Sequence, residues 1–290
     1  MYPVTQRSDG STIAALRRDL AGNEPLLVPG VFNGMTARIA TEAGFRALYI
    51  SGLGVAGADY GLPDRAMLGL SEMVESCRRI TSVTRLPVIA DGDTGHGNEL
   101  MIARTVREFA AAGAAAITIE DQSVDKRCGY TGGMTVVSAS EMEQRIGAAR
   151  DAAGKEGPVI IARTDVSSLE GFDAGVERAN RMARAGADVV WVLGMQNLDA
   201  AAMAATRARL DGPAMADHSE IRGAPVHDFS AFAKAGFDIV LVPLSGFLAG
   251  LKSMRAIYAQ LFAERTWRGY ENELIDLAGY NAWAGRIIEK

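Results

Sequence analysis

Residues 87–121 read PVIADGDTGHGNELMIARTVREFAAAGAAAITIED, and they contain one full repeat of the fold. The apolar run 87–90 breaks into Asp91-Gly92-Asp93-Thr94-Gly95-His96-Gly97-Asn98, a pair of carboxylates set in a glycine-rich turn. Residues 99–112 form an amphipathic helical stretch, closed by Gly113. The next apolar run starts at Ala116 and ends in Glu120-Asp121. Strand, turn, helix and parallel strand follow one another within 35 residues, which is the βαβ unit.

Working outward, the same alternation extends in both directions. Strands are predicted at 26–32, 47–51, 87–91, 116–121, 158–164, 188–194, 213–218 and 238–245. They are rich in Val, Ile and Leu without polar alternation, as parallel strands covered on both faces are. Gly44, Gly113, Gly186 and Gly236 each close a helix just before a strand. Glycine there tolerates the left-handed backbone that ends a helix. Eight such alternations without a disordered linker predict a single α/β domain over residues 1–290, a closed (α/β)8 barrel spanning about 24–264. A helix is expected ahead of it at 11–20, and two beyond it at 246–264 and 271–288, the last lying in an extension over 265–290. The final helix carries Leu274, Leu277, Ala278, Trp283 and Ile287 on an apolar stripe that packs either on its own chain or on a neighbouring subunit.

Composition narrows the function. The chain has 290 residues, 48% of them apolar, which suffices for a large core, and its net charge of −5 argues against nucleic acid. A small anionic substrate is compatible with that charge if local cations receive it. Two cysteines, Cys77 and Cys128, make no disulfide framework. The N-terminus lacks a basic-then-apolar leader, and no apolar stretch is long enough to span a bilayer. The cytoplasm is the expected compartment, with no membrane partner.

In a parallel barrel the strand C-termini converge on one rim, where active sites lie. Asp91 and Asp93 alternate with Gly92, so on a continuing strand they would share a face, and Glu120 comes from the adjacent strand end. These oxygen donors suit Mg2+ or Mn2+, which favour carboxylates and retain waters; helix capping and pairing with arginine are the alternatives. Arg163, at the end of the 158–164 strand, suits bidentate capture of a substrate carboxylate or else a structural ion pair. The backbone N–H groups of Ser51-Gly52-Leu53-Gly54 could receive a carboxylate or enolate oxygen. In Lys126-Arg127-Cys128-Gly129-Tyr130, the two cations would lower the Cys128 pKa, and Gly129 with Gly132-Gly133 would let the loop move. Tyr130 either closes over substrate or packs.

With these residues in view, the chain resembles the isocitrate lyase/phosphoenolpyruvate mutase superfamily. The resemblance is nearest to the 2-methylisocitrate lyases, 2,3-dimethylmalate lyases and carboxyphosphonoenolpyruvate mutases, and covers about residues 10–265. Leu48-Tyr49-Ile50-Ser51-Gly52, Gly61-Leu62-Pro63-Asp64, Ala90 to Asn98, Ile119-Glu120-Asp121-Gln122, Lys126-Arg127-Cys128-Gly129, Ile161-Ala162-Arg163-Thr164-Asp165 and Pro243-Leu244-Ser245-Gly246 carry it, in order. It implies an (α/β)8 barrel, a homotetramer with an exchanged C-terminal helix, and Mg2+ held around Asp91, with Asp64, Asp93 and Glu120 acting through its water shell. It places Ser51, Gly52 and Arg163 at the 2-oxo acid, with no organic cofactor, and makes Cys128 the catalytic thiol of a mobile gating loop. The implied reaction is carbon–carbon cleavage of a 2-hydroxy di- or tricarboxylate through an enolate. The alternatives are an oxaloacetate decarboxylase or hydrolase, a P–C mutase, or a non-catalytic metabolite binder. Three departures from the family pattern stand out: Tyr130 in place of a histidine, Leu193 in place of a glutamate, and Asp217-His218 where an asparagine is common.

Overall fold

Eight parallel strands close on themselves in chain order, each hydrogen-bonded to the next and the first to the last. The computed structural model describes residues 10–123 and 125–285. Strands β1 (Leu26–Val31), β2 (Leu48–Ile50), β3 (Val88–Asp91) and β4 (Ala116–Glu120) form the first half. Strands β5 (Val159–Thr164), β6 (Val189–Val192), β7 (Ala214–Asp217) and β8 (Ile239–Val242) complete it. All eight fall inside the stretches expected from sequence.

The helices occupy the intervals. Helix α1 (Ser11–Leu20) precedes the barrel; α2 (Gly34–Glu42), α3 (Gly52–Tyr60), α4 (Leu70–Thr81), α5 (Glu99–Ala111) and α6 (Ala139–Ala153) alternate with the first five strands. Helices α7 (Ser167–Glu170), α8 (Phe172–Arg184), α9 (Ala200–Arg207) and α10 (Phe229–Ala235) follow, then α11 (Ser245–Glu264) and α12 (Leu277–Gly285). The stop signals work as expected: Gly44, Gly113, Gly186 and Gly236 have φ of 93°, 90°, 115° and 88°.

Burial explains the missing alternation. Every residue of β3, β4, β6 and β7 is buried, because helices cover one face and the barrel interior the other. Leu26 and Val28 of β1 stand beside Ile239 and Leu241 of β8 and belong to the interior cluster, which also contains Tyr49 and Trp191. At this seam Gly30 is obligatory: a Cβ there would lie 1.8 Å from the Pro243 carbonyl oxygen.

The chain forms two compact units, Met1–Ser245 and Gly246–Lys290. The boundary falls in the first turn of α11, whereas the expected extension starts at 265. The first unit contains the whole barrel. In the second, neither α11 nor α12 has a buried residue, and Tyr280 and Trp283 pack ring to ring at 6.1 Å. Helix α12 starts at Leu277 and not at the expected 271; residues 286–288 of the expected helix, Ile287 among them, lie outside the described residues. Leu274 and Leu277 of the expected stripe are exposed.

Candidate active site

Register assembles the site. Glu120 on β4 is the partner of Arg163 on β5, and Arg163 is the partner of Trp191 on β6. Partners across strands point to the same face, so the three side chains form one row at the strand C-termini. Arg163 Nη1 forms an ion pair with Glu120 Oε2 at 3.2 Å, and its guanidinium carbon lies 4.7 Å from the Trp191 ring centroid. Nε and Nη2 fork onto the two Asp165 oxygens at 2.7 and 2.8 Å. Of the two expected uses of that fork, substrate carboxylate or structural ion pair, the structure shows the second. Here Asp165 occupies it, because the loop after β5 returns the carboxylate two residues later to its own strand's arginine.

Asp165 is itself held. Gln122 Nε2 donates to its Oδ2 at 2.7 Å and to the Arg127 carbonyl at 2.9 Å, while Arg127 N–H donates to Gln122 Oε1 at 2.9 Å. Gln122 therefore ties the Cys128 loop to the end of β5. Sequence reasoning named neither residue as functional. The parity of Arg163 and Asp165 was an available signal for one; nothing local marks Gln122.

The acidic residues expected to hold a metal come together around a lysine. Lys126, 5% exposed, donates to Asp64 Oδ1 at 3.1 Å and forms a close ion pair with Asp93. Burial works against its ammonium, yet Asp93, Glu120, Asp91 and Asp64 hold its pKa well above the ordinary lysine value. Lys126 is thus a partner of the acids, not a neighbour acting mainly on the thiol. The strand-parity argument for Asp91 and Asp93 needs correction as well. Strand β3 ends at Asp91, and Asp93 sits in a turn at φ 48°, a left-handed conformation that short polar side chains tolerate.

Asp91 accepts the Gly52 and Asp93 N–H groups, each at 3.2 Å. The Gly52 N–H is therefore aimed at Asp91 and not outward to a ligand. Ser51 caps α3, its Oγ accepting the Gly54 N–H at 3.1 Å. Leu53 lies in the first turn of α3, where backbone N–H groups fall outside the intrahelical ladder.

Three features fit a hard divalent cation. Glu120 Oε1 is buried without a hydrogen-bond partner. Burial, and then the Asp93 charge, push the Asp91 carboxyl up. Burial likewise pushes Glu120 well up, against the pull of Arg163 and Lys126. Buried carboxylates short of positive charge are stabilised by a cation. Among the described residues no three His, Cys, Asp or Glu side chains converge as a ready cage. Oxygen donors of this kind are those that hard divalent cations take.

Cys128 departs from expectation. Burial pushes its thiol up, the Tyr130 N–H and the Arg163 and Lys126 charges pull it down, and Asp64 adds to the rise; the net direction is upward. Arg127, next in sequence, is not among these influences, since its guanidinium lies beside Gly133. Gly129 provides close approach: a Cβ there would lie 2.5 Å from both Arg163 Nη2 and Leu193 Cδ2. The Tyr130 ring packs against the barrel interior, and its hydroxyl donates to Asp217.

With this geometry in hand, a profile of the phosphoenolpyruvate phosphomutase family matches residues 16–262. The chain belongs to this family, within the isocitrate lyase/phosphoenolpyruvate mutase superfamily. A 2-methylisocitrate lyase of Shewanella oneidensis is 42% identical over 245 residues, 83% of each chain. Among solved family structures, an oxaloacetate acetylhydrolase complexed with 3,3-difluorooxalacetate has a TM-score of 0.90 at 29% identity, covering 97% of this chain and 95% of that one. A phosphonopyruvate hydrolase complexed with oxalate and Mg2+ has a TM-score of 0.85 at 25% identity, covering 96% of each chain.

Proposed function

We propose that this chain is a metal-dependent carbon–carbon lyase that splits a 2-hydroxy acid into a 2-oxo acid and a second carboxylate-bearing fragment. The observation that carries the reading is the Cys128 thiol, which burial keeps protonated, on a loop seated against Arg163 at the barrel rim. The similarity to 2-methylisocitrate lyase supports the same reaction class.

Asp91 is the leading candidate to hold the cation, with Asp93, Asp64 and Glu120 reaching it through water. When bound, the ion withdraws electron density from the oxygens of the reacting acid and so stabilises developing negative charge. The protein's own groups do the rest. Arg163, held by Asp165 and Glu120, supplies fixed positive charge to the rim, and a charge that needs no reorganisation stabilises a transition state most effectively. Ser51, Gly52 and Leu53 shape the helix start beside Asp91, and Gly129 and Tyr130 close the opposite side. In the reaction the hydroxyl loses its proton, its C–O bond becomes a carbonyl, and the adjacent C–C bond breaks. The electron pair passes to the departing carbon, and the Cys128 thiol protonates it. The hydroxyl proton passes to a base and on to solvent, and the Cys128 thiolate left by the transfer to carbon takes a proton back from solvent, so no water or redox partner is consumed.

A second reading has its own support. Leu193 lines the rim against Gly129, an apolar side chain at the end of β6, and the oxaloacetate acetylhydrolase shares the fold closely. Hydrolysis or decarboxylation of oxaloacetate would bypass the thiol. Metal-dependent 2-oxo acid release should be assayed on 2-methylisocitrate, 2,3-dimethylmalate, isocitrate and oxaloacetate, each beside an EDTA control. Turnover of a hydroxy acid supports the lyase; turnover of oxaloacetate alone replaces it with the second reading.

The assembly belongs to the same proposal. Leu251, Met254, Tyr258, Phe262 and Leu277 are exposed in the 246–285 region, and a monomer rarely leaves so many large apolar side chains open. This supports self-association, and the homotetramer is the form that the family resemblance implies. No described helix is long and apolar enough to cross a membrane. Both cysteines are free, which supports a reducing, cytoplasmic setting.

A further inference from the structure

Asp217 ends β7 with no solvent exposure and collects four donors. Trp191 Nε1 donates at 3.1 Å, the Gly194 N–H at 3.4 Å and Ser219 Oγ at 3.0 Å; the Tyr130 hydroxyl is the fourth. The first three come from β6, its following turn and the segment just after β7, all outside the Cys128 loop. Tyr130 alone of the four comes from the loop that carries Cys128. Its hydroxyl reaches Asp217 while its N–H faces the Cys128 sulfur, so one residue connects the rim to the thiol.

The loop's other anchors differ in kind. Lys126 is bound to acids whose demand for positive charge changes when a metal ion arrives, Gly129 makes van der Waals contact, and Gln122 holds the loop at the Arg127 backbone, before the thiol, whereas Tyr130 holds it after the thiol. The bond from Tyr130 is to a carboxylate outside the acidic cluster, so filling that cluster leaves it intact. We propose that Tyr130 and Asp217 form a latch that holds the Cys128 loop closed on the rim, which makes Asp217 a positioning residue for the thiol. The proposal rests on the lyase reading for what the thiol does there, and on geometry alone for the latch.

The test is the rate at which Cys128 of the full chain is alkylated by iodoacetamide without substrate, followed by peptide mass. Cys77 is an internal reference, fully buried in α4. Tyr130→Phe keeps the ring and leaves Asp217 with three donors, so the fold should survive. A hydrogen bond to a charged group contributes about 1.5–3 kcal/mol, so its loss should speed Cys128 alkylation by about one to two powers of ten. Asp217→Asn should do the same to a lesser degree, because the amide can still accept one bond. Thr131→Ala removes a bond from Thr131 Oγ1 to the Cys128 carbonyl that stays within the loop, and should leave the rate unchanged. An unchanged rate in Tyr130→Phe, or an equal rise in Thr131→Ala, overturns the latch. Faster alkylation in an enzyme that cleaves no hydroxy acid would overturn the lyase reading and leave the latch standing.

Discussion

Cys128 combines two properties that pull apart in most active sites, since the thiol lies near cations and yet keeps its proton. Burial outweighs the Tyr130 N–H, Arg163 and Lys126. A nucleophilic cysteine would need the opposite balance, whereas a proton donor needs this one. The sign is direct: turnover requires the SH form and is lost as pH rises through the raised pKa. The alkaline limb of kcat should therefore lie above the ordinary thiol range, and a limb below it would contradict the assignment as acid. Glu120 shows the reverse economy. Its folded pKa is raised well above the ordinary carboxyl value, so the folded state binds the proton more tightly than the unfolded chain. Stability of the metal-free protein should fall as pH rises from the ordinary value to the folded one. Glu120→Gln imitates the neutral form, and each kcal/mol recovered should raise Tm in EDTA by about 2–4 °C. A lower Tm in differential scanning calorimetry would show that the Arg163 ion pair outweighs the burial cost. Function and stability conflict at this position, as they commonly do in active sites.

The elements were legible because the signals that make them are local. Apolar runs of strand length, amphipathic stretches between them and glycines at the helix ends all act within a few residues, and all eight strands follow. The positive φ of Gly44, Gly113, Gly186 and Gly236 is the physical content of that pattern. The Cys128 loop was read less well for the same reason. Lys126 and Arg127 flank the thiol in sequence, but one side chain turns into the acidic cluster and the other toward Gly133. Gly129 was expected to let the loop move; that it is also the point where the loop backbone meets Arg163 and Leu193 was not legible. Gly129→Ala tests this at the scale of the loop. Its Cβ, 2.5 Å from two side-chain atoms, should push the loop off the rim and lower kcat about 100-fold, roughly 2.7 kcal/mol in the barrier. Circular dichroism and Tm should change little, since the barrel strands are not involved. Full activity in Gly129→Ala would mean that the loop need not seat against Arg163.

At the scale of the molecule, the barrel brings together residues that sequence distance hides. Tyr130 and Asp217 are 87 positions apart and Gln122 and Asp165 are 43 apart, and no local pattern predicts either pair. The acids of the cluster were recognisable singly, from strand ends and from family resemblance; that Lys126 sits among them was not. The proposed chemistry joins these parts: a cation at the acids and the fixed charge of Arg163 stabilise the reacting acid while the Cys128 thiol completes the cleavage. The most direct test is the rate of 2-oxo acid release from the 2-methylisocitrate and 2,3-dimethylmalate pair with Mg2+, for the parent chain and Cys128→Ala at matched Mg2+ occupancy. The account predicts release from at least one of these hydroxy acids, abolished by EDTA and by Cys128→Ala although the variant still binds the ion. Undiminished release by Cys128→Ala would contradict it.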